Sequence, residues 1–135
     1  MQYKTPSKRS KFWTPEADYK TAVYWCKRYP DWIKELKTLP DTSKAISYEG
    51  DKVQTSSNYD ATAETAIRRS DILSKVVLLE GLAKTVMPEC PGYLIRGVTE
   101  NGVKVEDLIA SGMPFSKNSY LLRRQQFYHL LSKRI

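Results

Sequence analysis

Apolar residues recur along most of the chain at the three- and four-residue spacing that places them on one side of an α-helix. The first such stretch is predicted to begin with Thr14 as its cap and Pro15 in its first position. Its apolar face consists of Tyr19, Ala22, Val23 and Cys26. Because a proline disfavours helical geometry in the preceding residue, we expect the helix to break or restart at Tyr29.

The longest periodic stretch predicts a central core helix over residues 61 to 87, with Asp60 as its cap. Residues 40–60, just before it, are rich in polar residues and keep no period, so they predict a mobile loop. The apolar positions of the central helix are Ala63, Ala66, Ile67, Leu73, Val76, Val77, Leu82, Ala83 and Val86.

The last third of the chain is predicted to contain two short helices, at 93–98 and 103–111, and a final helix over 116–135. Gly112 occupies the position where a helix commonly ends on glycine, and Ser116 is the predicted cap of the final helix. A helix, a short glycine-containing turn and a second helix form the sequence pattern of a helix-turn-helix, whose second helix enters the major groove of DNA. The pattern therefore predicts an all-α fold, with a long central helix and a C-terminal helix-turn-helix.

We expect one globular domain made of three segments: a flexible basic arm over 1–13, N-terminal helices with a mobile loop over 14–60, and a helical core over 61–135. Phe12 and Trp13 are expected to anchor the arm to the body. Hydrophobic residues make up 41% of the 135 positions, which suffices for a core without a metal or a disulfide.

The chain shows neither an apolar run near the roughly 20 residues of a membrane span nor a secretory signal. We therefore expect a cytoplasmic protein with no membrane partner. Cys26 is expected to be a small core residue, because two isolated cysteines form neither a zinc site nor a disulfide framework. No cofactor and no metal are expected.

The net charge of +7 is unevenly distributed. Residues 1–13 carry +4 and residues 116–135 carry +5, both without an acid, so the rest of the chain carries −2. A block of one sign commonly faces a partner of the other sign, and nucleic-acid phosphate is the commonest such partner. The alternative is a solubilising tail together with a solvent-exposed helix face.

A projection of the final helix at 100° per residue separates an apolar side from a polar side. Arginine pairs with guanine edges and asparagine or glutamine with adenine edges, and lysine suits phosphate. The predicted DNA contacts are Ser116, Lys117, Asn118, Ser119, Leu122, Arg123, Gln126 and Lys133, with secondary phosphate contacts at Lys4, Lys8, Arg9 and Lys11. Arg124 projects onto the apolar side, where we expect a structural arginine paired with a buried acid.

The segment from Tyr93 to Ile135 resembles the C-terminal half of small prophage proteins similar to the RinA/ArpU-type phage transcriptional regulators. The stretches YWCKRYPDW at 24–32 and DATAETAIRR at 60–69 are similar to the first and central helices of such phage proteins. The resemblance implies a sigma-factor-like helix-turn-helix in which Ser116 opens the recognition helix. It also implies a phage or prophage regulator of transcription in the cytoplasm of a bacterial host cell, which binds double-stranded DNA. Such regulators commonly act as homodimers or together with RNA polymerase. The turn SGMPF at 111–115 is longer than the usual one.

An enzyme is not expected. Asp31 and Glu35 superficially match a PD…ExK nuclease pattern, but they lie four residues apart on a predicted helix, not on adjacent strands. The single histidine, His129, has no acid or cysteine near it in sequence, and no phosphate-binding glycine loop is present. Two alternatives stay open: a protein-binding module acting on a host protein, such as RNA polymerase or a defence protein, and a small terminase-like DNA-packaging subunit.

Overall fold

The structure, a computed structural model, describes residues 11–39 and 56–135, with side chains of the second range from residue 63 onward. These residues form helices and no strand, which confirms the all-α prediction. The helices are α1 (Glu16–Cys26), α2 (Tyr29–Thr38), α3 (Ser56–Val86), α4 (Pro91–Thr99), α5 (Val105–Ala110) and α6 (Lys117–Ser132).

The chain divides into two compact units. The first comprises the described residues of Met1–Pro30 together with Leu78–Ile135, and the second comprises those of Asp31–Val77. The end of α1 at Cys26 and the start of α2 at Tyr29 confirm the predicted restart before Pro30. No helix within the two described ranges is both long enough and apolar enough to cross a membrane.

The core of the first unit is built from one side of each of its helices. All four apolar residues predicted for α1, including Cys26, are fully or almost fully buried. Burial raises the pKa of the Cys26 thiol, so the residue is an inert part of the core, as predicted. The residues that pack with the α1 face are Leu79, Ala83, Val86, Met87, Leu94, Val98, Val105, Leu108, Met113, Tyr120, Phe127, Tyr128 and Leu131.

The second unit pairs α2 with the first part of α3. Trp32, Ile72 and Val76 are buried, and the Lys75 ammonium lies 5.6 Å from the centre of the Trp32 ring. Glu35 forms an ion pair with Arg68 on the exposed rim of this contact. The packing of this unit therefore combines a small apolar centre with charged side chains around it.

Several apolar residues predicted to be core positions of the central helix are instead exposed. Ile67 is 70% exposed and Val77 65%, and Leu73 is also exposed. The reason is geometric: the apolar residues of this helix occur on more than one of its sides, and only one side is packed. Ala63 is exposed as well, so the prediction that the whole apolar set lies inward was wrong for these four residues.

Two predicted helix starts were also wrong. The central helix begins at Ser56 rather than after Asp60, so residues 56–60 are helical, and the rest of the predicted loop lies outside the described residues. The N-cap of α1 is Pro15, and the Thr14 side chain does not cap it. The Thr14 hydroxyl instead donates a hydrogen bond to the Phe12 carbonyl, 3.3 Å away. A polar side chain near a helix start has several possible partners, and its sequence position does not select among them.

Candidate nucleic-acid interface

A Schellman motif ends α5 and turns the chain toward α6. The amide of Gly112 donates to the Ile109 carbonyl at 3.0 Å, and that of Met113 donates to the Leu108 carbonyl at 3.1 Å. Gly112 has a φ of 112°, a left-handed conformation that favours glycine. The predicted glycine at this helix end is therefore confirmed, and the buried side chains of Leu108 and Met113 fix the turn in the core.

Ser116 caps α6 as predicted. Its Oγ accepts a hydrogen bond from the Ser119 amide at 3.2 Å, which satisfies one of the free donors of the first turn. Lys117, Asn118 and Ser119 are exposed in that turn, and no acid lies within α6. The start of α6 thus offers polar side chains and the positive end of a helix dipole to solvent.

The two sides of α6 are divided largely as the projection predicts. Tyr120, Phe127, Tyr128 and Leu131 are buried, whereas Leu122 is 52% exposed. Among the other predicted contacts, Gln126 is half-buried and Lys133 is exposed just after the helix. Ile135, which projects onto the apolar side, is exposed at 44%.

Lys117 forms an ion pair with Glu106 of α5, with Nζ 3.2 Å from Oε1. The Glu106 carboxylate accepts hydrogen bonds from its own backbone amide and from Lys117, and both lower its pKa. Both side chains are exposed, so the pair is weak and screened by salt. A phosphate group can therefore replace the carboxylate as the partner of Lys117.

Arg123 is held by groups outside α6. Its Nη1 donates to the Val86 carbonyl at 3.1 Å and lies 3.1 Å from a carboxylate oxygen of Glu89. Its guanidinium stacks 4.4 Å from the centre of the Phe115 ring. The helical projection places Arg123 on the open side, but its long side chain reaches back to the end of α3. In this structure Arg123 therefore connects α6 to the segment between α3 and α4. Its predicted contact with a base stays a prediction.

Arg124 lies on the packed side of α6, as predicted, but the expected acidic partner is absent from the described part of the chain. Its guanidinium is 5.9 Å from the centre of the Tyr120 ring, and its Nε is buried with no hydrogen-bond partner. Burial raises the pKa of the hydroxyls of Tyr19, Tyr120 and Tyr128, and the positive charge of Arg124 partly opposes this rise. Within the described ranges, the Tyr120 ring and the hydroxyls of three buried tyrosines, rather than a carboxylate, therefore lie near this arginine.

His129 contacts the segment that precedes α1, which its isolated position in the sequence did not reveal. Its Nδ1 lies 3.1 Å from Thr14 Oγ1, and its ring centre lies 6.0 Å from that of Phe12. Phe12 thus anchors the end of the predicted arm, whereas Trp13 is 40% exposed. Lys11 is exposed, and the predicted contacts Lys4, Lys8 and Arg9 lie outside the described residues.

No cluster of three or more histidine, cysteine or acidic side chains that could hold a metal ion occurs within residues 11–39 and 56–135. Glu35 of the superficial nuclease pattern lies on α2 and pairs with Arg68. No protein-family model matches the chain, and comparisons with curated proteins and with solved structures gave no match. The resemblance to RinA/ArpU-type regulators therefore stays a prediction.

Proposed function

We propose that this chain is a sequence-specific DNA-binding protein that regulates transcription, with the first half of α6 as its base-reading element. The observation that carries the proposal is the exposed, acid-free start of α6, capped by Ser116 and preceded by the Schellman turn after α5. A helix presented in this way is suited to enter the major groove with its first turns. The phage or prophage origin rests on the family resemblance alone.

The side chains on this surface match the chemistry of base edges and phosphates. An asparagine such as Asn118 can bond both the acceptor and the donor of adenine, and Leu122 can contact a thymine methyl group. Lys117 and the backbone amides of the first turn suit phosphate oxygens. Contact with phosphate would replace the exposed Glu106 carboxylate that now accepts from Lys117.

The experiment separates base reading from phosphate binding. DNA bound by the protein is first selected from random duplexes, and affinities for a selected and an unrelated duplex are then measured by fluorescence anisotropy. Asn118→Ala should weaken binding to the selected duplex by about 1–3 kcal/mol and leave the unrelated one unchanged. Lys117→Gln should weaken both alike. Asn101→Ala, which changes an exposed asparagine in the α4–α5 turn, is the matched control. Parent-like binding by both α6 variants would exclude this surface.

A second candidate, a protein-binding module, is favoured by exposed apolar side chains on the same two helices. Leu122 of α6 is 52% exposed, and Ile109 of α5 is 42% exposed. Such residues can form the apolar centre of a protein interface. Salt dependence distinguishes the two functions, because about six phosphate contacts would cost roughly 10³ in affinity between 50 and 200 mM salt.

A further inference from the structure

The segment before α1 contacts the end of α6 in the first unit, and both carry exposed cations. The contacts of Phe12 and Thr14 with His129 hold residues 12–14 against the last turn of α6. Lys11 follows directly from this contact, and its ammonium lies 5.2 Å from the centre of the Phe12 ring. Lys133 lies four residues beyond His129, so both project from the same side of the helical turn.

Three exposed cations result from this arrangement: Lys11, Lys133 and Arg134, named here the terminal basic cluster. None of them forms an ion pair with a residue in the described ranges. Two acids follow in the first turn of α1: Glu16, which Lys20 engages at 2.9 Å, and Asp18, which forms no ion pair with any of these three cations. The cluster therefore keeps its charge available to a partner, in contrast with Lys117 and Arg123.

We propose that the terminal basic cluster binds backbone phosphates of duplex DNA regardless of sequence, and that His129 is the positioning residue that holds Lys11 in it. The inference rests on the proposed function, because it assigns a second contact with the same DNA. The cluster lies about fourteen residues from Ser119, which is roughly 21 Å along a helix. Duplex DNA carries a negative charge about every 1.7 Å of its axis, so a duplex that lies along α6 presents phosphates over this whole length.

The hydrogen bonds at His129 agree with the positioning role. Thr14 Oγ1 and His129 Nδ1 lie 3.1 Å apart and share one hydrogen bond, whose donor is set by the tautomer of the imidazole ring. One histidine thus fixes the turn that carries Lys11, while its ring packs against Phe12. A glutamine at this position keeps an N–H donor, whereas an alanine removes both the hydrogen bond and the ring contact.

The test measures the salt dependence of binding to a mixed-sequence 25-base-pair duplex. The logarithm of the binding constant falls linearly with the logarithm of the salt concentration. A triple variant, Lys11→Gln, Lys133→Gln and Arg134→Gln, should reduce the magnitude of this slope by about 3, one for each phosphate contact. The matched control removes three exposed lysines from α2 and α3, through Lys34→Gln, Lys37→Gln and Lys84→Gln. Equal slopes for the two triple variants would overturn the proposal that the terminal basic cluster binds phosphate.

His129 is tested through its coupling to Lys11. His129→Ala should lower the slope by about 1, as Lys11→Gln alone does, and the two changes together should lower it no further. His129→Gln should restore most of the slope. If His129→Ala lowers thermal stability but leaves the slope unchanged, the residue only packs the fold and the positioning role fails.

The failure of this inference and that of base reading give different results. If Asn118→Ala removes sequence preference while the two triple variants behave alike, base reading stands and the cluster fails. If Asn118→Ala has no effect while only the cluster variant lowers the slope, the cluster stands and base reading fails. A parent protein that binds no duplex, or that binds polyglutamate as tightly as DNA, would overturn both.

Discussion

The hydroxyl of Tyr120 occupies the space that a Cβ atom on Gly97 would take. Tyr120 is the first buried aromatic residue of α6, and Gly97 lies on the side of α4 that faces it. The absence of a side chain at Gly97 therefore lets α6 approach α4 closely. Because Leu108 of α5 also lies within 3.2 Å of that Cβ position, this glycine sets the packing around the helix that is proposed to read DNA.

Gly97→Ala should destabilise the protein by about 1–3 kcal/mol, because the added methyl group collides with the Tyr120 hydroxyl in a closely packed core. Urea unfolding followed by intrinsic fluorescence measures the change. Gly92→Ala, in the first turn of the same helix, is the control, since no atom lies within 4 Å of its added Cβ. Equal stability of the two variants would show that α4 and α6 are not packed as described.

Tyr120→Phe should stabilise the protein by about 1 kcal/mol. Within the described ranges the buried Tyr120 hydroxyl forms no hydrogen bond of ordinary geometry, and the neighbouring Arg124 guanidinium only partly offsets the effect of its burial. Such a group costs free energy that phenylalanine does not. The same change should reduce the cost of Gly97→Ala, because it removes the oxygen that occupies the Cβ position. A double-mutant cycle measures this coupling. Additive effects of the two substitutions would contradict the contact.

Features that depend on neighbours in the sequence could be predicted. The buried face of α1, the cap at Ser116 and the helix end at Gly112 follow from residue spacing, side-chain chemistry and glycine geometry. Each involves residues at most a few turns apart, so a local pattern contains the necessary information. The amphipathic division of α6 was predictable for the same reason.

Features that depend on tertiary partners could not be predicted. Arg123 turns from the open side because Glu89 and the Val86 carbonyl lie within its reach, more than thirty residues earlier in the chain. His129 meets Thr14 across 115 positions, and nothing in its own surroundings signals that contact. The sequence therefore predicts which face of α6 is polar. Only the folded structure shows which cations on that face form contacts within the protein and which do not.

The ion pair between Arg123 and Glu89 predicts a specific pH dependence. The hydrogen bond from Arg123 lowers the pKa of the Glu89 carboxyl in the folded state. The resulting stability is present above the ordinary glutamate pKa of about 4.3 and is lost as the pH falls through the lower, folded-state value. Glu89→Gln should therefore be less stable than the parent at pH 7 and differ less from it at pH 3. Urea unfolding at both pH values measures the free energy of unfolding, with Glu64→Gln at an exposed position as the control. If Glu89→Gln differs from the parent by the same amount at both pH values, the effect of the carboxylate charge is excluded.

Glu106→Gln should strengthen DNA binding, because it frees Lys117 from a carboxylate that competes with phosphate. The expected gain is roughly two- to fivefold at low salt, since an exposed ion pair is weak and easily exchanged. Anisotropy titrations with selected and unrelated duplexes measure it, and both affinities should rise together, because phosphate contacts carry no sequence information. In a Lys117→Gln background the gain should shrink markedly. An equal gain with and without Lys117 would mean that Glu106 only adds general repulsion, and Lys117 would then be removed from the proposed DNA contacts.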